Sequence, residues 1–205
     1  AFSEESSAKV VPVISNIESG FTLPTIAEFE KAITPKTKAI LICNPNNPTG
    51  YLYSESEINQ LGELVKKHDL FLIADEVYRE FIYDERDQHF SVMNLIGIEQ
   101  NVIMIDSVSK RYSMCGARIG CMITKNREVI DAAMKFAQAR LSPPSFAQIL
   151  GEAAVDLPLN YFDEVHAEYN SRRDLLVKRL KAMDGVFCPN PGGAFYAMAK
   201  LPVED

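Results

Sequence analysis

The stretch AILICNPNNPTGYLYSESEINQLGELVKKHDLFLIAD, residues 39–75, decides the fold. It opens on an apolar run, Ala39–Cys43, that reads as a buried strand, and it closes on a second, residues 70–74. Between them residues 44–50 are Asn- and Pro-rich turn material. Ser54 with Glu57 then forms a capping box that starts a helix running to about His68. Strand, helix and strand in so short a span make one crossover unit, which sets the two strands parallel in one sheet. The class is therefore α/β: a mostly parallel sheet with flanking helices.

The pattern continues outward on both sides. Residues 25–33 read as a helix, opened by Thr25 with Glu28 and closed before Pro35. Residues 102–105 read as a third strand and 119–124 as a fourth. The segment between them, 106–118, holds no convincing helix, so a crossover does not fit and the fourth strand is expected to run antiparallel. Helices follow at 127–139, Ser145–Val155 and about 161–183. The last has Asp163 and Glu164 at its start and Lys178, Arg179 and Lys181 near its end, which complements the helix dipole. Gly185 and Pro189 punctuate it, and residues 194–200 resume a strand pattern. The expected organisation is part of a large domain over 1–157, a long connecting helix over 158–184, and the beginning of a small C-terminal α+β domain over 185–205. No internal repeat or low-complexity segment interrupts it.

Composition narrows the function classes. The chain has 205 residues, 47% hydrophobic and 24% charged, which excludes collagen-like, coiled-coil and disordered readings. Its 21 Lys and Arg against 28 Asp and Glu give a net charge of −7, which opposes binding to nucleic acid or to an anionic membrane and leads us to expect a cytoplasmic protein. Cys43, Cys115, Cys121 and Cys188 lack CxxC spacing and lie in or beside runs that read as buried strands, so neither a zinc site nor a disulfide framework is expected. No apolar run is long enough to span a membrane, and residues 1–10 lack the pattern of a signal peptide. The chain begins at Ala1, without an initiator Met, and stops at Asp205 in mid-pattern. It is expected to be an internal segment of a longer protein.

The chemistry gathers at strand ends. In open α/β sheets ligands bind outside the carboxyl ends of the strands. Here three successive strands end in unusual polar residues: NPNNPTG at 44–50, then Asp75, Glu76 and Tyr78, then DSVSK ending in Lys110, with Arg118 eight residues on. Taken singly, each has a plainer reading as turn, cap or surface charge. Their convergence on one crevice argues for a site. His68, His89 and His166 lack metal-ligand spacing and read as helix-end or surface histidines.

NPNNPTG, ADEVY at 74–78 and SVSKRYSMCGARIG at 107–120, in that order, resemble the class I aminotransferases, the fold type I pyridoxal-phosphate enzymes of the aspartate aminotransferase kind. The last segment fits the family's lysine signature at Ser107, Ser109, Lys110, Gly116, Arg118, Ile119 and Gly120, and the likeness runs the length of the chain. The resemblance implies pyridoxal 5'-phosphate held as a Schiff base on Lys110, with that amine later serving as base for the substrate Cα proton. It implies that Asp75 pairs with the pyridine nitrogen and keeps it protonated, and that Tyr78 and Asn47 hydrogen-bond the ring's 3-oxygen. Arg118 with Ser107 and Ser109 would hold the phosphate.

Asn47 and Arg140 are the candidates for substrate contact, Arg140 standing where some relatives place a partner-subunit arginine for a second carboxylate. Cys115 and Ala117 depart from residues common in the family. In members of this family the ring-stacking aromatic and a glycine-rich phosphate cradle lie upstream of the matched region, and the arginine for the α-carboxylate lies downstream. The implied activity is amino transfer between an amino acid, aspartate or similar, and a 2-oxo acid such as 2-oxoglutarate, by a homodimer, with no turnover from this segment alone. A lyase or synthase on the same core, and a ligand-sensing domain of a regulator, are the alternatives. In PGGAFY, 191–196, Gly192 and Gly193 are read as a hinge or a tight turn.

Overall fold

Four strands form one sheet in the order β1-β2-β3-β4: β1 Ala39–Cys43, β2 Phe71–Asp75, β3 Val102–Ser107 and β4 Gly120–Ile123. In this computed structural model, which describes residues 2–84, 88–158 and 160–203, β1, β2 and β3 are mutually parallel and β4 is antiparallel to β3. The parallel triplet and the reversed fourth strand agree with the sequence reading. Ala1 and Asp205, the ends of the expected domains, lie outside the described residues.

The helices are α1 Phe2–Glu5, α2 Ile26–Ala32, α3 Glu55–His68, α4 Val108–Arg111, α5 Arg127–Arg140, α6 Ser145–Val155 and α7 Tyr161–Lys181. Helix α3 sits over the sheet because Ile58, Leu61, Gly62 and Val65 recur at helical spacing and are buried. They meet Ile40 and Ile42 of β1, Leu72 and Ala74 of β2, and Val102 and Met104 of β3, all on one face. Each such fully buried side chain contributes about 1.5–3 kcal/mol. Helix α7 carries Asp163 and Glu164 in its first turn and three basic residues in its last, as expected.

Four expectations need correction. Strand β1 is buried on one face only: Leu41 is 65% exposed, because β1 lies at an edge and only its Ile40/Ile42 face meets the core. The cysteines are not uniformly buried. Cys188 is, but Cys115, in the turn before β4, is exposed, and so is Cys121, since β4 is the other edge and shows most of its residues to solvent. Residues 194–200 form no strand; the backbone there makes only the isolated bridges Ile82–Gly193 and Phe187–Lys200, with no ladder to continue them. The segment 106–118, expected to lack a helix, also contains the single turn α4, because the Ser107 hydroxyl caps it by accepting from the Ser109 amide at 3.0 Å.

The start of α3 is fixed by one carboxylate. Glu57 Oε2 accepts from the Ser54 amide and the Ser54 hydroxyl, each at 2.8 Å, and the Glu57 amide donates back to Ser54 Oγ at 3.3 Å. Glu57 Oε1 accepts in addition from the Tyr51 hydroxyl at 2.8 Å and the Leu23 amide at 3.2 Å. The cap therefore also ties down the loop entering the helix. Glu57→Ala removes the four bonds that the carboxylate accepts, leaves the backbone bond to Ser54 in place, and should lower stability by about 2 kcal/mol. Urea unfolding of the two proteins should show this as a lower midpoint at unchanged slope.

Candidate active site

The register of the parallel strands brings their carboxyl ends level, with Cys43 beside Asp75 and Asp75 beside Ile105. Backbone pairing runs one step further: the Asn44 amide donates to the Asp75 carbonyl and the Glu76 amide to the Ile105 carbonyl, both at 2.9 Å. Each following loop therefore leaves from a fixed point on the same edge.

Asp75 is half-buried, and its Oδ1 accepts from the Val77 amide at 3.2 Å. Burial pushes its carboxyl pKa up, only partly opposed by that bond, and the charge of Asp106 adds to the rise. Three residues on, Tyr78 is buried among Phe81, Phe195 and Tyr196, with ring centroids 5.1–6.4 Å apart in edge-on packing. Lys110 Nζ lies over this cluster, 5.7 Å from the Tyr78 centroid and 5.5 Å from that of Phe195, within the reach of cation–π attraction. Lys110 rides on α4, so the capped turn aims it.

Beside this lies a cavity of about 410 Å³ whose lining includes Ser107, Ser109, Arg118 and Arg140. The Ser107 hydroxyl donates to the Ile119 carbonyl at 2.9 Å and lies 2.7 Å from Ser109 Oγ, which locks both hydroxyls. Arg118 has a left-handed backbone, φ 57° and ψ 40°, and its guanidinium donates to the Cys115 carbonyl at 3.0 Å. A non-glycine residue held in that region is a strained one, of a kind that concentrates at functional sites. Two guanidiniums and two hydroxyls thus line this cavity, with the Asp106 carboxylate among them.

Asn47 is exposed on its loop, and its backbone is in hydrogen-bonding reach of the Cys43 thiol, itself packed against the Tyr78 cluster. Burial raises that thiol to about 11, so it is a neutral neighbour rather than a nucleophile. The loop is clamped by the PGGAFY segment: the Gly192 and Gly193 amides donate to the Gly50 carbonyl at 2.8 and 2.9 Å. Gly193 is required for space. A Cβ on Gly193 would fall 2.6 Å from Pro45 Cβ and 2.8 Å from the Phe81 carbonyl oxygen.

Two buried polar clusters support the site from behind, and the sequence pattern singled out neither. Asp106, 5% exposed, is held by Arg111 at 2.5 Å and Arg79 at 3.5 Å, and both arginines reach Glu80. Glu76, fully buried, accepts from the Val92 amide at 2.8 Å; its other oxygen lies 3.7 Å from His89 Nε2, which hydrogen-bonds the Asn44 carbonyl at 3.2 Å. Burial raises Glu76 and lowers His89 to about 4, so the imidazole is neutral at neutral pH and the contact is polar rather than an ion pair. His89 is thus not a surface histidine, and His166 hydrogen-bonds the Glu80 carbonyl; only His68 stands at a helix end as expected. The aromatic pair Phe195 and Tyr196 was legible only as the two rings following a double glycine.

The family model described as aminotransferase class I and II matches residues 4–205. The chain belongs to this family. Among its relatives, the aspartate aminotransferase of Rhizobium meliloti (strain 1021) is 35% identical over 193 residues, covering 93% of this chain and 47% of that protein. Aromatic-amino-acid aminotransferase 2 of Thermococcus litoralis is 32% identical over 196 residues, covering 94% and 49%. Among solved structures, an alanine aminotransferase from Pyrococcus furiosus matches with a TM-score of 0.90 at 32% identity, over 99% of this chain and 52% of that one. The chain spans about half the length of the curated relatives it matches, and its fold is that of the fold type I aminotransferases. Among the described residues, no helix is long and apolar enough to cross a membrane.

The Asp106–Arg111 contact fixes the turn that carries Lys110. Arg111→Leu strips the buried Asp106 of its nearest cation and leaves only the longer contact to Arg79. It should cost about 3 kcal/mol of stability, and Asp106→Asn in the same background should recover part of the loss. Denaturant unfolding of the two variants reads both effects.

Proposed function

We propose that this chain supplies the cofactor-holding part of an aminotransferase that moves an amino group between an amino acid, aspartate or similar, and a 2-oxo acid such as 2-oxoglutarate. The observation that carries the reading is Lys110 held over Tyr78 at the carboxyl edge of the sheet, beside a cavity lined by Ser107, Ser109 and Arg118. The donor set fits pyridoxal 5'-phosphate. Guanidinium and hydroxyl groups suit its phosphate, and Asp75, disfavoured by burial as a lone anion, suits a cationic ring nitrogen.

Bound, the cofactor supplies an aldehyde that captures amines and a cationic ring that takes up the electron pair released when the substrate Cα–H bond breaks. The residues do the rest. Arg118, Ser107 and Ser109 anchor the phosphate and so fix where the ring lies. The Asp75 carboxylate holds a proton on the ring nitrogen. The Tyr78 hydroxyl and Asn47 donate to the 3-oxygen and favour its ionised form. Lys110 Nζ holds the cofactor and, once substrate displaces it, takes the Cα proton and returns it elsewhere. Arg140 brings a second guanidinium to the cavity, which suits an acidic substrate. The active unit in this reading is a cytoplasmic homodimer, with residues 1–157 in the large domain, 158–184 as the connecting helix and 185–205 opening the small domain.

Two measurements on the full-length protein test this. Borohydride reduction in the presence of pyridoxal phosphate, followed by peptide mapping, should place the modification on Lys110; a label on another lysine refutes the assignment. Asp75→Ala should retain bound cofactor while losing on the order of a thousandfold in turnover, because the charge acts on the chemistry rather than on anchoring. A near-normal rate in that variant refutes the role of Asp75.

A further inference from the structure

The hydroxyls of Tyr78 and Tyr196 lie 2.6 Å apart, although the residues are 118 positions apart in the chain. Their rings meet edge-on at 5.5 Å, inside the aromatic cluster over which Lys110 sits. The segment bearing Tyr196 is held on both sides. The Ala194 amide donates to the Phe81 carbonyl at 2.9 Å, the Tyr83 hydroxyl donates to the Ala194 carbonyl, and Gly192 and Gly193 are bonded to Gly50. The contact between the hydroxyls is therefore set by the fold and not by a free side chain settling on a neighbour.

A phenol has one proton and donates one hydrogen bond, while its oxygen still accepts. If Tyr78 gives its proton to the cofactor's 3-oxygen, the 2.6 Å bond can only be donated by Tyr196. An O–H group whose oxygen accepts a bond is polarised and donates more strongly. We propose that Tyr196 is a positioning residue that acts through Tyr78, donating to its oxygen so that the Tyr78 proton is aimed at the cofactor. The inference rests on the reading of Tyr78 given above.

The titratable and charged groups facing the pair are Asp75 and Cys43 from the strand ends and Lys110 from α4, with Tyr169 of α7 packed behind. Burial raises the Tyr78 pKa, so its phenol stays a protonated donor.

The test uses the full-length protein loaded with pyridoxal phosphate and reads the pH midpoint of the cofactor's visible absorbance change. It compares the wild type with Tyr78→Phe, Tyr196→Phe and the double variant. Phenylalanine keeps each ring in the cluster and removes only the oxygen. Losing a donor to the ionised 3-oxygen raises its proton affinity, so the midpoint moves up. The shift should be about one unit for Tyr78→Phe and roughly half a unit for Tyr196→Phe. The double variant should match Tyr78→Phe alone, since Tyr196 then has nothing to act through. An unmoved midpoint in Tyr196→Phe, or an equal further shift when it is added to Tyr78→Phe, overturns the inference alone. An unmoved midpoint in Tyr78→Phe overturns both the inference and the role of Tyr78 beneath it.

Discussion

A slip of one residue in the pairing of β2 with β1 or β3 would turn Asp75 to the opposite face of the sheet and bury a different set of side chains against α3. The parallel register forbids it. Ile42 beside Ala74, and Ala74 beside Met104, place apolar groups together on the face that α3 covers. Asp75 follows on the other face, level with Cys43 and Ile105. The position of the carboxylate is thus a consequence of core packing several residues away. The bonds from Asn44 to Asp75 and from Glu76 to Ile105 carry the same registration into the loops, where no apolar pattern could hold it.

Three carboxylates crowd this edge, and the fold treats each differently. Asp106 is matched by arginines, which turns a buried charge into an anchor for the turn bearing Lys110. Glu76 is buried against His89 and the Val92 amide, and burial favours its neutral form. Among the described residues Asp75 has neither an arginine at salt-bridge distance nor a full set of amides, only the Val77 bond, and the neighbouring negative charge of Asp106 raises its cost as an anion. Of the three it is the one left, among the described residues, without a cationic or imidazole neighbour. That difference, rather than the presence of acidic residues as such, is what supports the role proposed for Asp75.

Most of the sheet was legible because periodicity and capping are local. Ile58, Leu61 and Val65 announce the buried face of α3, Ser54 with Glu57 announce its start, and the short link between β3 and β4 announces the reversal. The polar strand ends were legible too, since Asp75, Tyr78 and Lys110 follow apolar runs directly. What could not be read is whatever depends on contact between distant segments. His89 looks like a loop histidine until Asn44 and Glu76 are seen beside it. Arg79 and Arg111 look like surface charges until Asp106 lies between them. Residues 194–200 form an apolar run that reads as a strand, but such a run supplies no partner backbone, and only isolated bridges form.

The PGGAFY segment shows how such distant contact is built. Gly193 leaves room for Pro45 and the Phe81 carbonyl, so the backbone at 192–194 can lie directly against two active-site loops. With that approach made, Ala194 takes a left-handed φ of 56°, its amide bonds to Phe81 and its carbonyl accepts from Tyr83. Phe195 is thereby delivered over Tyr169 and under Lys110, and Tyr196 to the hydroxyl of Tyr78. A larger residue at 193 would push this backbone outward and draw both rings away from the lysine. The glycine pair thus acts on the site through distance: it sets how near the segment comes, and that nearness decides which side chains surround the amine.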